Sequence, residues 1–393
     1  MSSQISQETP DFSLVLGGPL YQCLCRVHLS GQALELVKQR VLFFIGITWF
    51  PLLLLSAITG VLMNGPGTAF LYDVANQVRF LVTLPILIIA ELVVHQRIRP
   101  LLESFVERRI IAAKDIVRFN AILETGTKIR NSVALEVFLV VLVFTAGHWI
   151  WAHKIAQQSA SWFATPEGSS LHLTLPGYWY AFISIPVFQF ILLRWYTRFM
   201  IWFWILWRIS RLELNLLPAH PDRVGGLGFL GQSCYAFAPL LFAQGALQAG
   251  LIANQVLHEN VKFVSFKMMI LAMGSSYVLA VLIPLAVFMP VLARVRRKGL
   301  REYGNLATAY VSDFNHKWIG GDSKGEAILG TADIQSLADL SNSYDVVREM
   351  RLFPFDIKDV LRLFGVTLMP FFPLLLTVMP LEELIKRFFS MFF

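Results

Sequence analysis

The stretch LLRWYTRFMIWFWILWRIS, residues 192–210, places Arg194 and Arg198 four positions apart inside one of the most apolar parts of the chain. Residues i and i+4 share one helix face, so the two guanidiniums project together. An arginine within a bilayer costs at least ~2.5–3.5 kcal/mol on insertion scales unless it pairs, meets water or snorkels to the surface. Two acids, Glu91 and Glu136, also sit within apolar runs. At ~1.5 Å of rise per residue, Arg194 and Arg198 lie ~24 and ~30 Å from the start of their run, Glu91 lies ~20 Å along its own, and Glu136 lies ~5 Å inside the opposite face. All four therefore reach a similar depth, and the expectation is an ion-pair cluster of Arg194 and Arg198 with Glu91 and Glu136. Three roles stay open for it. The arginines snorkel to headgroups beside a belt of Trp202, Trp204 and Trp207; the cluster only holds helices together; or it is the gate or selectivity element of a polar pathway.

A second polar series follows in FAPLLFAQGALQAGLIANQ, where Gln244, Gln248 and Gln255 fall on roughly one helix face, with Ser275 expected near the depth of Gln248. These amides and hydroxyls would line an outer path leading to the charges, or form interhelical hydrogen bonds worth on average only ~0.6 kcal/mol. Gly245, Ala246, Ala249 and Gly250 in the same stretch permit close helix approach, either within the chain or in a homo-oligomer. A third group stands in LNLLPAHPDRVGGLGFLG, residues 214–231. Two prolines prevent a continuous helix there and the glycines allow positive φ, so His220, Asp222 and Arg223 are held in a tight turn. An Asp–His pair can do acid–base chemistry; with Arg223 it can hold a lipid phosphate; or Asp222 simply caps the next helix. The glycines are not a dinucleotide fingerprint, because no strand precedes them.

The elements that must position these residues are membrane helices. The chain of 393 residues is 56% hydrophobic and 15% charged, against roughly 45–50% and about 25% for a soluble domain. Its apolar residues gather in runs near the ~20 residues that span a bilayer: Val41–Met63, Val78–His95, Val133–His153, Tyr178–Trp207, Gln232–Leu257, Met268–Val291 and the proline-interrupted Leu361–Met379. The expected fold is an all-α transmembrane bundle of six or seven spans. Residues 1–40 form an N-terminal segment, 41–95 the first two spans, 96–132 a charged helical hairpin, 133–291 spans three to six, 292–360 a helical segment with aromatic stripes, and 361–393 a spanning or re-entrant piece followed by an amphipathic helix. No internal repeat is evident, and no cleavable signal peptide is read in the first 40 residues.

With the N-terminus in the cytoplasm, 25 lysines and arginines fall on the cytoplasmic side and 4 on the other, a strong positive-inside bias. The net charge of +7 thus reflects topology and indicates no nucleic-acid partner. Cys23, Cys25 and Cys234 are expected on the reducing side as thiols, and Cys23 and Cys25, with only His28 nearby, are too few ligands to suggest a metal site. No nucleotide-binding loop is present, which argues against a primary pump; no cofactor is expected.

The segments HPDRVGGLGFLG and ADIQSLADLSNSYDVVREMRLFPF, with MPFFPLLLTVMPLEELIKR near the end, resemble an uncharacterised family of bacterial multi-spanning inner-membrane proteins. The resemblance implies a bacterial inner-membrane location and supplies no activity. The function expected from the residues is a channel or transporter for an ion or small polar solute. The alternatives are a lipid-acting enzyme using His220 and Asp222, and a sensor or scaffold signalling through 292–360.

Overall fold

Short polar side chains set where several helices begin. Ser132 Oγ accepts the Leu135 N–H, Thr174 Oγ1 that of Gly177, and Asp73 Oδ1 that of Asn76. Each satisfies an N–H that the first turn leaves without a carbonyl. The computed structural model describes residues 12–26, 36–64, 67–150, 161–167, 170–259, 261–320 and 330–376. In chain order the elements are α1 (Pro19–Arg26), α2 (Val37–Ile58), α3 (Val74–Glu107), α4 (Ile116–Arg130), α5 (Val133–Ile150), a small antiparallel hairpin β1–β2 (Ala164–Glu167 and Ser170–Leu173), α6 (Leu175–Ile209), α7 (Gly228–His258), α8 (Phe263–Ala286), α9 (Met289–Phe314), α10 (Ala332–Arg348) and α11 (Ile357–Leu368). The fold is an all-α bundle. Among the described residues six helices, α2, α3, α5, α6, α7 and α8, are long and apolar enough to cross a membrane.

Two of these, α3 and α6, are built alike. Each opens with a side-chain cap and one helical turn, passes through a π segment (Arg79–Thr83 and Tyr180–Ser184), and then meets a proline, Pro85 or Pro186, at the second residue of a long α-helix. A proline offers no N–H to the carbonyl four residues back, and the wide turn absorbs the mismatch: the N–H groups of Leu84 and Ile185 reach the carbonyls of Arg79 and Tyr180 five residues earlier. The first residues of the two π segments touch, with Arg79 donating to the Tyr180 hydroxyl. No repeat is evident in the sequence because this likeness lies in caps and prolines, not in side-chain identity.

Helix α3 runs three turns past the run read from the sequence, through Pro100 to Glu107. A turn at Arg109, whose φ is +54°, leads into α4. The Ala112 N–H reaches the Glu213 carbonyl and the Asn215 N–H reaches that of Ile110, so this turn pairs with the start of the 214–231 segment. The last apolar run does not form a candidate span in its described part. The Asp356–Asp359 capping box starts α11; Pro370 and Pro373 then break it into a 3₁₀ turn and one short helical turn. Leu363 and Thr367 are buried against α7, where Gly245 leaves room for the Thr367 carbonyl. The amphipathic stretch expected after Met379 lies outside the described residues.

The helices α9 and α10 pack antiparallel as an arm. Its aromatic stripe closes onto α10, with the Tyr310 hydroxyl donating to the Asp333 carbonyl and Trp318 Nε1 and Lys317 Nζ donating to the Asp333 carboxylate.

Candidate functional site

Helix periodicity brings one charged residue from each of three spans to a common point. On α2 the buried residues are Arg40, Phe44 and Thr48, four apart; on α6 they include Ile191, Arg194, Trp195, Arg198, Ile201 and Trp202. Glu91 of α3 bridges the two helices: its Oε2 is 2.6 Å from Arg40 Nη1 and its Oε1 is 2.7 Å from Arg198 Nη1. Arg194 Nε lies 3.4 Å from Glu136 Oε1 on α5, bringing in a fourth span. Arg40, Arg194 and Arg198 are 1%, 8% and 5% exposed, so these guanidiniums are enclosed by protein. They do not reach outward to a surface, and Trp202, 1% exposed, packs in the core instead of an interfacial belt. Arg198 also stacks 5.2 Å from the Trp195 ring centroid, and Trp195 is fixed by its Nε1–H bond to the Leu87 carbonyl. All four charged residues read from the sequence therefore meet, in two pairs.

Two participants were not read. Arg40 stands one residue before the run expected to begin at Val41, yet α2 starts at Val37 and carries it inside the bundle. The second is the segment 12–18, which inserts beneath the charges with Phe12, Ser13, Leu14 and Val15 all buried. Arg198 Nη2 donates to the Val15 carbonyl at 3.4 Å, and Arg130 donates to that of Ser13. Ser13 Oγ lies 2.9 Å from His95 Nδ1, and Glu136 Oε2 accepts the Leu20 N–H at 2.8 Å. Gly17 and Gly18, at φ +138° and +91°, turn the chain into α1. The signal in the sequence is the apolar FSLVL, too short to span, directly before Gly-Gly-Pro.

The 214–231 turn is tightly organised around Asp222. Its Oδ1 accepts the N–H of Val224 and of Gly226, and its Oδ2 that of Gly228, at 2.8–3.1 Å; His220 Nδ1 lies 2.9 Å from Oδ1. Burial opposes ionisation of this carboxyl, but the bonds from Val224, Gly228 and Gly226 and the contact with His220 outweigh it and hold it below the ordinary carboxylate range. Arg223, at φ +57°, pairs with Glu349 at 2.8 Å, and its carbonyl accepts the Arg351 N–H. His220, Asp222 and Arg223 thus meet as a set that ties the turn to the foot of the α9–α10 arm.

The outer amide series is distributed differently. Gln244 Nε2 donates to the Tyr196 hydroxyl at 2.9 Å and Gln248 Nε2 to that of Tyr277 at 3.3 Å, while Gln255 and Ser275 are exposed on the bundle surface. Ser275 therefore does not join Gln244 and Gln248. A polar node at the other end of the bundle escaped the sequence: Asp73 accepts Trp162 Nε1–H at 2.9 Å and Asn254 Nδ2–H at 2.8 Å besides capping α3. Among the described residues no group of three or more His, Cys, Asp or Glu is placed to hold a metal. Cys23 and Cys25 are free thiols, Cys23 exposed, and His28 lies outside the described residues.

No family model, curated protein or solved structure matches the chain.

Proposed function

We propose that this membrane protein is a channel or transporter for an ion or small polar solute, with the Arg40–Glu91–Arg198 and Arg194–Glu136 network as its gate or selectivity element. The observation that carries the proposal is that network itself: three guanidiniums and two carboxylates, enclosed by four spans and one short segment. Burying ion pairs brings little net stability, since desolvation offsets the Coulomb gain and well-packed apolar residues of the same volume do as well or better. A brace would need no charge. A charged constriction does, and its excess of arginine favours anions. On this account the arginine-rich end faces the cytoplasm, in keeping with a bacterial inner membrane, and Gln244 and Gln248 stand on the outer approach.

The test is flux in liposomes holding purified wild type, Arg194→Ala and Glu91→Ala, under imposed ion and pH gradients. Flux that disappears in Arg194→Ala and changes selectivity in Glu91→Ala supports the proposal. Absence of flux from folded wild type under every gradient and potential overturns it.

One observation favours a sensor or scaffold as the second account. The α9–α10 arm leaves Leu306, Ile319 and Ile334 at 55%, 76% and 46% exposure, a face suited to a partner. A lipid-acting enzyme has less support, because the Asp222 carboxylate that would assist His220 is taken up by three backbone N–H groups.

A further inference from the structure

We infer that residues 12–18 occupy a binding site for a small oxyanion, of acetate size, formed by Arg198 and Arg130. The charges around this segment do not balance. Arg40, Arg130, Arg194 and Arg198 face Glu91 and Glu136, the described members of the network. Arg40 is 1% exposed, and only its Nη1 is paired; its Nε and Nη2 have no acceptor among the described residues. Desolvated guanidinium N–H groups without acceptors are costly. Arg40 is left with that cost, whereas the segment offers two other arginines oxygens that carry no net charge, the Ser13 carbonyl to Arg130 and the Val15 carbonyl to Arg198. These two carbonyls hold guanidinium donors for which an oxyanion would compete. A carboxylate-sized oxyanion would accept from the same planar donors, more strongly because it is charged, and would lower the positive excess as the carbonyls cannot.

The segment is held chiefly by the buried side chains of Phe12, Leu14 and Val15, so its release has to expose them. Among the described residues its polar ties include the two carbonyls and Ser13 Oγ to His95, with the Leu20 N–H to Glu136 just beyond it, and its turn depends on Gly17 at φ +138°, where a β-branched residue is strained. Beside it, Arg130, Arg194, Arg198 and Thr197, with the Glu136 carboxylate, line a cavity of about 20 Å³, room for about one water molecule. An anion therefore enters as the segment withdraws, and the two compete for the same donors. This goes beyond the transport proposal and is read by binding alone.

The test is calorimetric titration of acetate into the full chain in nanodiscs of zwitterionic phosphatidylcholine, which excludes anionic lipid as a rival ligand. Wild type, Gly17→Val and Gly17→Val/Arg198→Gln are compared. Dislodging the segment in Gly17→Val is expected to tighten acetate binding at least tenfold, and adding Arg198→Gln to abolish that gain. Leu14→Ser, which leaves the glycine turn intact, is expected to act in the same direction as Gly17→Val and stands in for it should that variant misfold. Equal binding by wild type and the displaced variants, or no binding by any of them, overturns the inference. Either result leaves the flux experiment to be decided separately.

Discussion

Glu91 holds Arg40 and Arg198 with its two oxygens, whereas Glu136 meets Arg194 and the Leu20 N–H. Removing one partner of a buried ion pair leaves an uncompensated charge and costs about 3–5 kcal/mol. Glu91→Gln is therefore expected to destabilise by about that amount, and more than Glu136→Gln, when thermal unfolding of the two variants is compared in one detergent. The pairing of Arg194, Arg198, Glu91 and Glu136 was legible in the sequence because a charge in an apolar run is anomalous and depth follows from helical rise. Arg40 was not, since it stands just outside an apolar run and hydropathy does not show where a helix begins. Nor was the insertion of Phe12–Val15, which depends on tertiary contacts with α3, α4 and α6 rather than on any local pattern. Ser275 failed for a related reason: depth fixes the height of a residue in the bilayer, while its facing depends on how α8 is rotated against its neighbours.

The turn between α6 and α7 is organised by one carboxylate, and its pH dependence has a definite sign. Asp222 is held below its ordinary range, so the stability it contributes is present above the unfolded carboxyl pKa and is lost as the pH falls through the lower folded value. Hydrogen-exchange protection of the Val224, Gly226 and Gly228 amides, corrected for intrinsic rate, should hold at pH 6 and fall once the pH drops below the usual carboxylate range. In Asp222→Ala it should be low at both. Helix α11 offers a steric counterpart. A Cβ at Gly245 would overlap the Thr367 carbonyl, so Gly245→Ala should push α11 off α7 and lower the thermal midpoint, while Gly365→Ala, where a Cβ meets nothing within 4 Å, should not. The six spans were legible from length and hydropathy. The seventh run was open between spanning and re-entrant because of its prolines, and in its described part Pro370 and Pro373 do break the helix; the kinship of α3 and α6 stayed hidden because only caps and prolines carry it.

At the scale of the molecule, most of the basic residues, the 214–231 turn and the foot of the α9–α10 arm gather at the end of the bundle to which α6 carries Arg198. If that end is cytoplasmic, as the positive-inside bias expects, exposed Cys23 should react with a membrane-impermeant maleimide in inside-out vesicles and not in intact cells. The inserted segment then lies at the cytoplasmic end of the bundle, against Arg130 and Arg198. The most direct measurement of the central claim is solute flux through proteoliposomes of wild type and Gly17→Val, driven by acetate, nitrate and chloride gradients in turn. The account predicts measurable anion movement through wild type, faster movement through Gly17→Val, and loss of both when Arg194→Ala is added. Equal and negligible movement through both folded proteins, for every anion and in both directions, would contradict it and leave the buried arginines as a structural brace.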